Sequence, residues 1–474
     1  MIFSSLLFIF WFMPVFFIVY YLVPMKLKNI VLFIGSLIFY GWGEPKYLIL
    51  LGISILVNYF AGRLIDRAKR RSSTVNSTEN AAEKAGGEGL GKPALIGVLA
   101  FDIGMLFFFK YINFFIDNIN AVTGAGLSRV NITLPLGISF YTFQIMSYVI
   151  DLYRGKVRVE TSLIDLGTYL CMFPQLIAGP IVVYSDVSEA LKSRIISPAG
   201  VEEGLKLFIL GLGSKVLIAN SAGALWRELE TIGYSALSSP MAWLGMLAYT
   251  LQIYFDFNGY SMMAIGLGRM LGFEFPKNFN LPYTSLSITE YWRRWHMTLS
   301  GWFKEYLYIP LGGNRRGPVR KVFNLFIVWF ITGFWHGADW NFILWGLYFF
   351  VLLMAERAGL GRFLEGNRVI ARIYSLLAIG FGWMLFAISD LRQLGVYLSR
   401  LFVGGVSNEI LYYVRNYGVI LLAGCLLSSG LGNRLYEKIR DRRLIVIPVL
   451  TGIFVLCTAY LADASYNPFL YFRF

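Results

Sequence analysis

The sequence predicts an all-α protein that crosses a membrane many times. Two observations carry that prediction. Hydrophobic residues make up 57% of the 474, only 15% are charged, and the mean hydropathy is +0.60, more apolar surface than one water-soluble core buries. Apolar runs long enough to cross roughly 30 Å of hydrocarbon, about 20 residues of helix each, recur from end to end. They fall near 2–23, 28–43, 46–62, 94–117, 134–152, 204–220, 240–256, 322–338, 341–356, 373–389, 414–430 and 444–462, so about 11 or 12 transmembrane helices are expected in one domain over 1–474.

The first run, IFSSLLFIFWFMPVFFIVYYLV, has no basic residue before it and no small-residue cleavage pattern after it, so it reads as a retained helix. Residues 63–93, rich in Ser, Gly, Ala and Glu, offer little to bury and read as a flexible cytoplasmic loop. Two stretches are too polar and too proline-broken for lipid-exposed spans. One covers 135–180, with Gln144, Asp151 and Gln175; the other covers 257–320, with Pro276, Pro282 and Pro310. Irregular backbone at membrane depth is tolerated where protein or a water-filled cavity satisfies it, so 257–320 is expected to be a re-entrant or interfacial cavity-lining segment. Within it, Thr289 or Ser287 can cap a helix on which Trp292, Trp295, His296, Leu299 and Phe303 share one face. That helix is amphipathic enough to lie in the interface.

The net charge of +14 does not indicate nucleic acid, because the lysines and arginines sit in short connections, as membrane topology requires. With all basic connections cytoplasmic, both termini lie outside and the link from Gly337 to Asn341 faces outward, which puts His336 outward or at mid-depth. Cys171, Cys425 and Cys457 have no paired spacing and read as packing residues. Two histidines without acidic residues at ligand spacing make a metal site improbable. No internal repeat or pair of matched broken segments marks a transporter.

His336, in TGFWHGADWN, is one of only two histidines in the chain. An ionisable residue inside a span is costly and points to function, and imidazole exchanges a proton near neutrality. Gly337 permits close backbone approach, and Trp335, Asp339 and Asn341 flank the histidine. The competing reading is a buried histidine satisfied by a carbonyl. His296 is either a second polar group that orients substrate or completes a proton path, or an interfacial side chain bonded to a headgroup or to Glu290. The loop IPLGGNRRGPVRK exposes backbone N–H groups beside Arg315, Arg316 and Lys321, a composition suited to phosphate and equally to a positive-inside anchor, the simpler reading. Asp256 and Asn258 in YFDFNGYS are buried polar candidates with a structural role. GLGRMLG has no preceding strand and is not a nucleotide loop.

WRRWHMTLSGWFKEYLYIPLGGNR, TGFWHGADWNFILWGLYF, LQIYFDFNGYS, SFYTFQIMSYVIDLYRG and FPQLIAGPIV together resemble the membrane-bound O-acyltransferase (MBOAT) superfamily. More narrowly, they resemble its bacterial alginate O-acetyltransferase branch, along nearly the whole chain. The resemblance implies a multi-pass protein of the bacterial inner membrane with helices ringed around a central funnel. It implies acyl transfer with a catalytic histidine at His336 and a second histidine at His296. Trp335, Asp339, Asn341, Asp256, Asn258, Gln144 and Trp295 are then candidates for the substrate cavity, and Arg315, Arg316 and Lys321 for holding the donor. The donor expected is acetyl-CoA or an acyl-carrier thioester, with no bound cofactor, and the acceptor is an exported polysaccharide reached through extracytoplasmic partner proteins. His336 would act as general base or carry the acyl group itself. YIPLGGNR separates this branch from the D-alanyl transfer protein of teichoic acid, which stays a rival, as does a transporter or lipid flippase. Met262 stands where the branch usually has aspartate.

Overall fold

Residues 1–75, 81–177, 179–463 and 470 are described by a computed structural model. Among them no strand occurs. The helices run in order as α1 (Met13–Leu22), α2 (Met25–Gly41), α3 (Leu48–Val75), α4 (Ala81–Thr123), α5 (Ile138–Arg154), α6 (Leu163–Cys171), α7 (Phe173–Leu176), α8 (Tyr184–Lys192), α9 (Pro198–Gly213), α10 (Asn220–Ile232) and α11 (Ser239–Leu271). After the segment that joins them come α12 (Ile288–Arg294), α13 (Met297–Phe303), α14 (Gly317–His336), α15 (Trp340–Ala355), α16 (Gly361–Glu365), α17 (Arg368–Ala387), α18 (Leu391–Val403), α19 (Glu409–Ser428), α20 (Leu431–Ile439) and α21 (Arg443–Asp463). The all-α membrane class is therefore as expected.

Seven stretches among the described residues are long and apolar enough to cross a bilayer: Pro45–Arg71, Gly91–Thr123, Pro198–Ile232, Trp340–Glu365, Arg368–Ala387, Glu409–Ser428 and Arg443–Asp463. Each coincides with an expected span. The other expected spans fall on helices that are shorter or carry more polar residues, such as α2, α5 and α14. Helix α5 is buried along most of its length, as a helix surrounded by protein is. Two expectations are corrected. Most of 63–93 is helical, with 63–75 continuing α3 and 81–93 opening α4; residues 76–80 lie outside the described residues. Lys, Arg, Glu and Ala favour helix even where nothing is buried, and Asp66 pairs with Arg70 one turn on at 2.8 Å. Residues 257–271 likewise do not break the backbone but complete α11.

The chain forms two compact units, one of 1–204 with 267–276, the other of 205–266 with 277–474. In the first, Phe173 packs its ring 5.1 Å from Phe16 and 5.5 Å from Phe39. Arg194 donates to Tyr20 Oη at 2.9 Å and to the Leu271 carbonyl at 3.1 Å, tying its last segment down. Gly137 has φ +73°, and a Cβ there would stand 2.5 Å from the Leu176 carbonyl oxygen, so α5 begins where only glycine fits.

In the second unit, α14 and α15 approach through glycines. A Cβ on Gly333 would meet the Phe342 carbonyl oxygen at 2.3 Å, and one on Gly346 the Trp329 carbonyl oxygen at 2.3 Å; small residues let helix backbones close to this distance. Gly333→Val is therefore expected to lower the thermal unfolding temperature by several degrees. Gly452→Ala in α21, where an added Cβ meets nothing within 4 Å, should not lower the unfolding temperature. Circular-dichroism melts in detergent check both.

Candidate active site

Helix α12 is set in place from a distance. The buried Glu356 carboxylate accepts the backbone N–H groups of Ile288 at 2.5 Å and Thr289 at 2.9 Å and the Thr289 hydroxyl at 2.6 Å. These are N–H groups of the helix's first turn, which have no partner inside the helix. Ser287 caps the same turn by accepting from the Glu290 N–H at 3.0 Å. Tyr291 and Trp292 are thereby held in the core, with Trp292 4.7 Å from Trp329 and 5.5 Å from Trp345 between ring centroids.

The single amphipathic helix expected across this region is not formed. It stops at Arg294 and restarts at Met297, because His296 adopts φ 43° and ψ 55°. A left-handed non-glycine residue is uncommon and strained, and such residues cluster at functional sites. A strap made by 278–280 holds the break: Asn280 N–H donates to the Arg294 carbonyl at 2.9 Å and Met297 N–H to the Asn278 carbonyl at 2.8 Å. The aromatic stripe faces protein, not the interface. Trp295 is 2% exposed, with its ring 4.8 Å from Trp383 and 5.0 Å from Phe279.

His296 is 1% exposed, its ring edge-on to Phe257 at 4.7 Å. Its Nδ1 lies 2.9 Å from Asn278 Oδ1, whereas Glu290 pairs with Arg294 at 2.7 Å. It sits between short helices, outside the spanning ones, and burial pushes its pKa down to about 3, so the ring is neutral at physiological pH.

His336 ends α14 and is 5% exposed. Its ring stands edge-on to Trp345 at 4.9 Å and to Phe386 at 5.4 Å. Gly337 then turns the chain in extended conformation; a Cβ there would lie 2.2 Å from the Phe342 ring. The two histidines share Trp335 as a neighbour, its ring centroid 6.4 Å from His296 and 5.0 Å from His336.

The other candidates divide. Asn341 is buried and donates to the carbonyls of Leu385 at 3.3 Å and Phe386 at 3.1 Å, so it fixes the end of α17 where Phe386 meets His336. Asp339 caps α15, accepting from the Trp340 N–H at 2.7 Å. Asp256 forms an ion pair with Lys215 at 2.6 Å, and Asn258 lies 3.6 Å from Met262 Sδ, the residue that replaces the aspartate. Gln144 belongs to the first unit, fully buried in α5. Arg315 and Arg316 are exposed and Lys321 partly so; the two arginines just precede α14 and Lys321 lies in its first turns, so that His336 at its end is about 30 Å of helix from Arg316 and about 22 Å from Lys321. Sequence pattern does not single out Asn278 or Glu356, and Lys215 is not among the candidates above. Lys215, a lone cation in an apolar run, nonetheless carries the signal that marks ionisable residues in spans.

Membrane-length helices, with two buried histidines beside one tryptophan, define a polytopic membrane protein. The chain belongs to the membrane-bound O-acyltransferase family and is an O-acyltransferase. The family model for MBOAT, membrane-bound O-acyltransferase family, matches residues 154–364. The chain is 35% identical to "Probable alginate O-acetylase AlgI" of Pseudomonas putida over 511 residues, covering 100% of both chains. It is 40% identical to the protein of that name from Pseudomonas aeruginosa over 400 residues, 83% of this chain and 73% of the relative. To "Peptidoglycan O-acetyltransferase" of Helicobacter pylori it is 35% identical over 444 residues, 86% of this chain and 81% of the relative.

Proposed function

We propose that the protein moves an acetyl group from cytoplasmic acetyl-CoA across the membrane toward hydroxyls of an exported polysaccharide, an alginate-like exopolysaccharide or a cell-wall glycan, with His336 as general base. The observation that carries the reading is end-to-end similarity to a polysaccharide O-acetylase together with two buried histidines around Trp335. A sugar hydroxyl is a poor nucleophile. Neutral His336 takes its proton as the oxygen attacks the thioester carbonyl; the ester C–O bond forms, the C–S bond breaks, and the departing thiolate takes up a proton. Helix α14 suits this path. It links the basic loop with Arg315, Arg316 and Lys321, where the charged donor enters, to His336 at the far end, about one hydrocarbon thickness away. An extracytoplasmic partner protein that relays the acetyl group to the polymer would present its own hydroxyl at the same position.

Membership of an acyltransferase family leaves a transporter or flippase reading without support. The rival donor, a D-alanyl carrier, is tested directly. Protein in proteoliposomes is expected to cleave radiolabelled acetyl-CoA and label added alginate, and to leave D-alanyl-carrier thioester intact. The reverse pattern would move the protein to teichoic acid chemistry.

A further inference from the structure

We infer that Asn278 is a positioning residue that locks His296 as the Nδ1–H tautomer, so that Nε2 presents a lone pair and His296 serves the transfer as a hydrogen-bond acceptor. This rests on the proposed acyl-transfer reading for its use in the reaction; the tautomer itself follows from the hydrogen bonds.

The orientation of the Asn278 amide is fixed by groups that can act in only one way. The backbone N–H of Thr298 can only donate, and it faces Asn278 Oδ1 at 3.4 Å, so that atom is the oxygen and not the nitrogen. The Thr298 hydroxyl donates to the same oxygen at 2.9 Å. On the other side, Asn278 Nδ2 donates to Ser261 Oγ at 3.1 Å. An amide oxygen is acceptor only, so His296 Nδ1, 2.9 Å away, has to bear the hydrogen. In a neutral imidazole the other nitrogen then carries the lone pair.

The backbone reinforces this arrangement. The Met297 N–H bond to the Asn278 carbonyl holds Asn278 beside a histidine whose left-handed conformation aims the ring away from the helical course. Asn278 is 1% exposed, Ser261 2% and His296 1%, so water does not compete for the bonds among these three. The chain from Ser261 on α11 through Asn278 to His296 is the way a second group fixes the tautomer of a catalytic or metal-bound histidine. The arrangement also excludes a role: neutral His296 in this tautomer cannot use Nε2 to donate to a developing oxyanion.

Nitrogen-15 NMR reads the tautomer directly, and the chain has only two histidines. In His336→Gln protein labelled with 15N-histidine in detergent, the His296 Nδ1 signal is expected at the protonated, pyrrole-type position and Nε2 at the pyridine-type position. Asn278→Asp, which keeps an acceptor oxygen, should retain that pattern. Asn278→Ala should lose it, and in the otherwise wild-type chain should cut kcat at least tenfold with KM for acetyl-CoA little changed. An Nε2–H spectrum in the Asn278-containing protein, or an unchanged Nδ1–H spectrum and kcat in Asn278→Ala, overturns the inference. Absence of acetyl transfer in the wild type would instead overturn the proposed reaction, and the tautomer would still be decided by the spectrum.

Discussion

His336→Gln is expected to abolish acetyl transfer while the protein stays folded. Glutamine is close to histidine in size and keeps hydrogen-bonding capacity at the end of α14, so contacts with Trp345 and Phe386 change little. What it cannot do is take a proton from a hydroxyl and return it. General-base help is worth about 10² to 10⁴ in rate, and a step that depends on covalent acyl-histidine would lose more. Radiolabelled acetyl-CoA turnover in proteoliposomes, with an unchanged size-exclusion profile, measures it. Equal turnover in variant and wild type would remove His336 from the chemistry. His296→Ala adds a second arm, because activity retained there and lost in His336→Gln would make His296 structural.

How legible this site is in the sequence depends on the kind of signal each residue gives. His336 stands out because an imidazole in an apolar run is costly to bury and rarely stays there without a task. The break at His296 is hidden: Trp292, Trp295, His296 and Leu299 keep helical spacing straight through it, and no glycine or proline marks the left-handed residue. Asn278 is one of two asparagines in KNFN, and only the fold selects it, through a strap that pairs it with residues 18 and 20 positions later. The all-α membrane class follows from composition, yet span boundaries do not, since helices such as α5 are apolar because protein surrounds them. Residues 63–93 show the reverse failure. Low-complexity composition lacks a burial signal, but much of the stretch keeps helix-forming residues, with the local ion pair Asp66–Arg70.

Breaking the buried pair Lys215–Asp256 is expected to cost about 3–5 kcal/mol of stability. Lys215 is 1% and Asp256 2% exposed, and they meet at 2.6 Å. Helix geometry makes the meeting possible: Ser214–Ala219 widens into a π turn, with Asn220 N–H reaching back to the Lys215 carbonyl, and such turns recur at functional positions. Each ion also has a second partner, Lys215 donating to Asn220 Oδ1 at 2.9 Å and Asp256 accepting the Leu470 N–H at 2.9 Å. Lys215→Met leaves a carboxylate without its cation in a dry interior and should destabilise the fold by about 3–5 kcal/mol. Replacing both ions, Lys215→Met with Asp256→Leu, removes the stranded charge and should recover a large part of the loss, because desolvating two ions offsets most of their attraction. Thermal unfolding in detergent of the wild type, the two single variants and the double variant completes the cycle. A Lys215→Met protein as stable as the wild type would mean that water reaches Asp256. A double variant no better than the single one would mean that the Asn220 and Leu470 bonds, and not the ion pair, hold α11 and the π turn together.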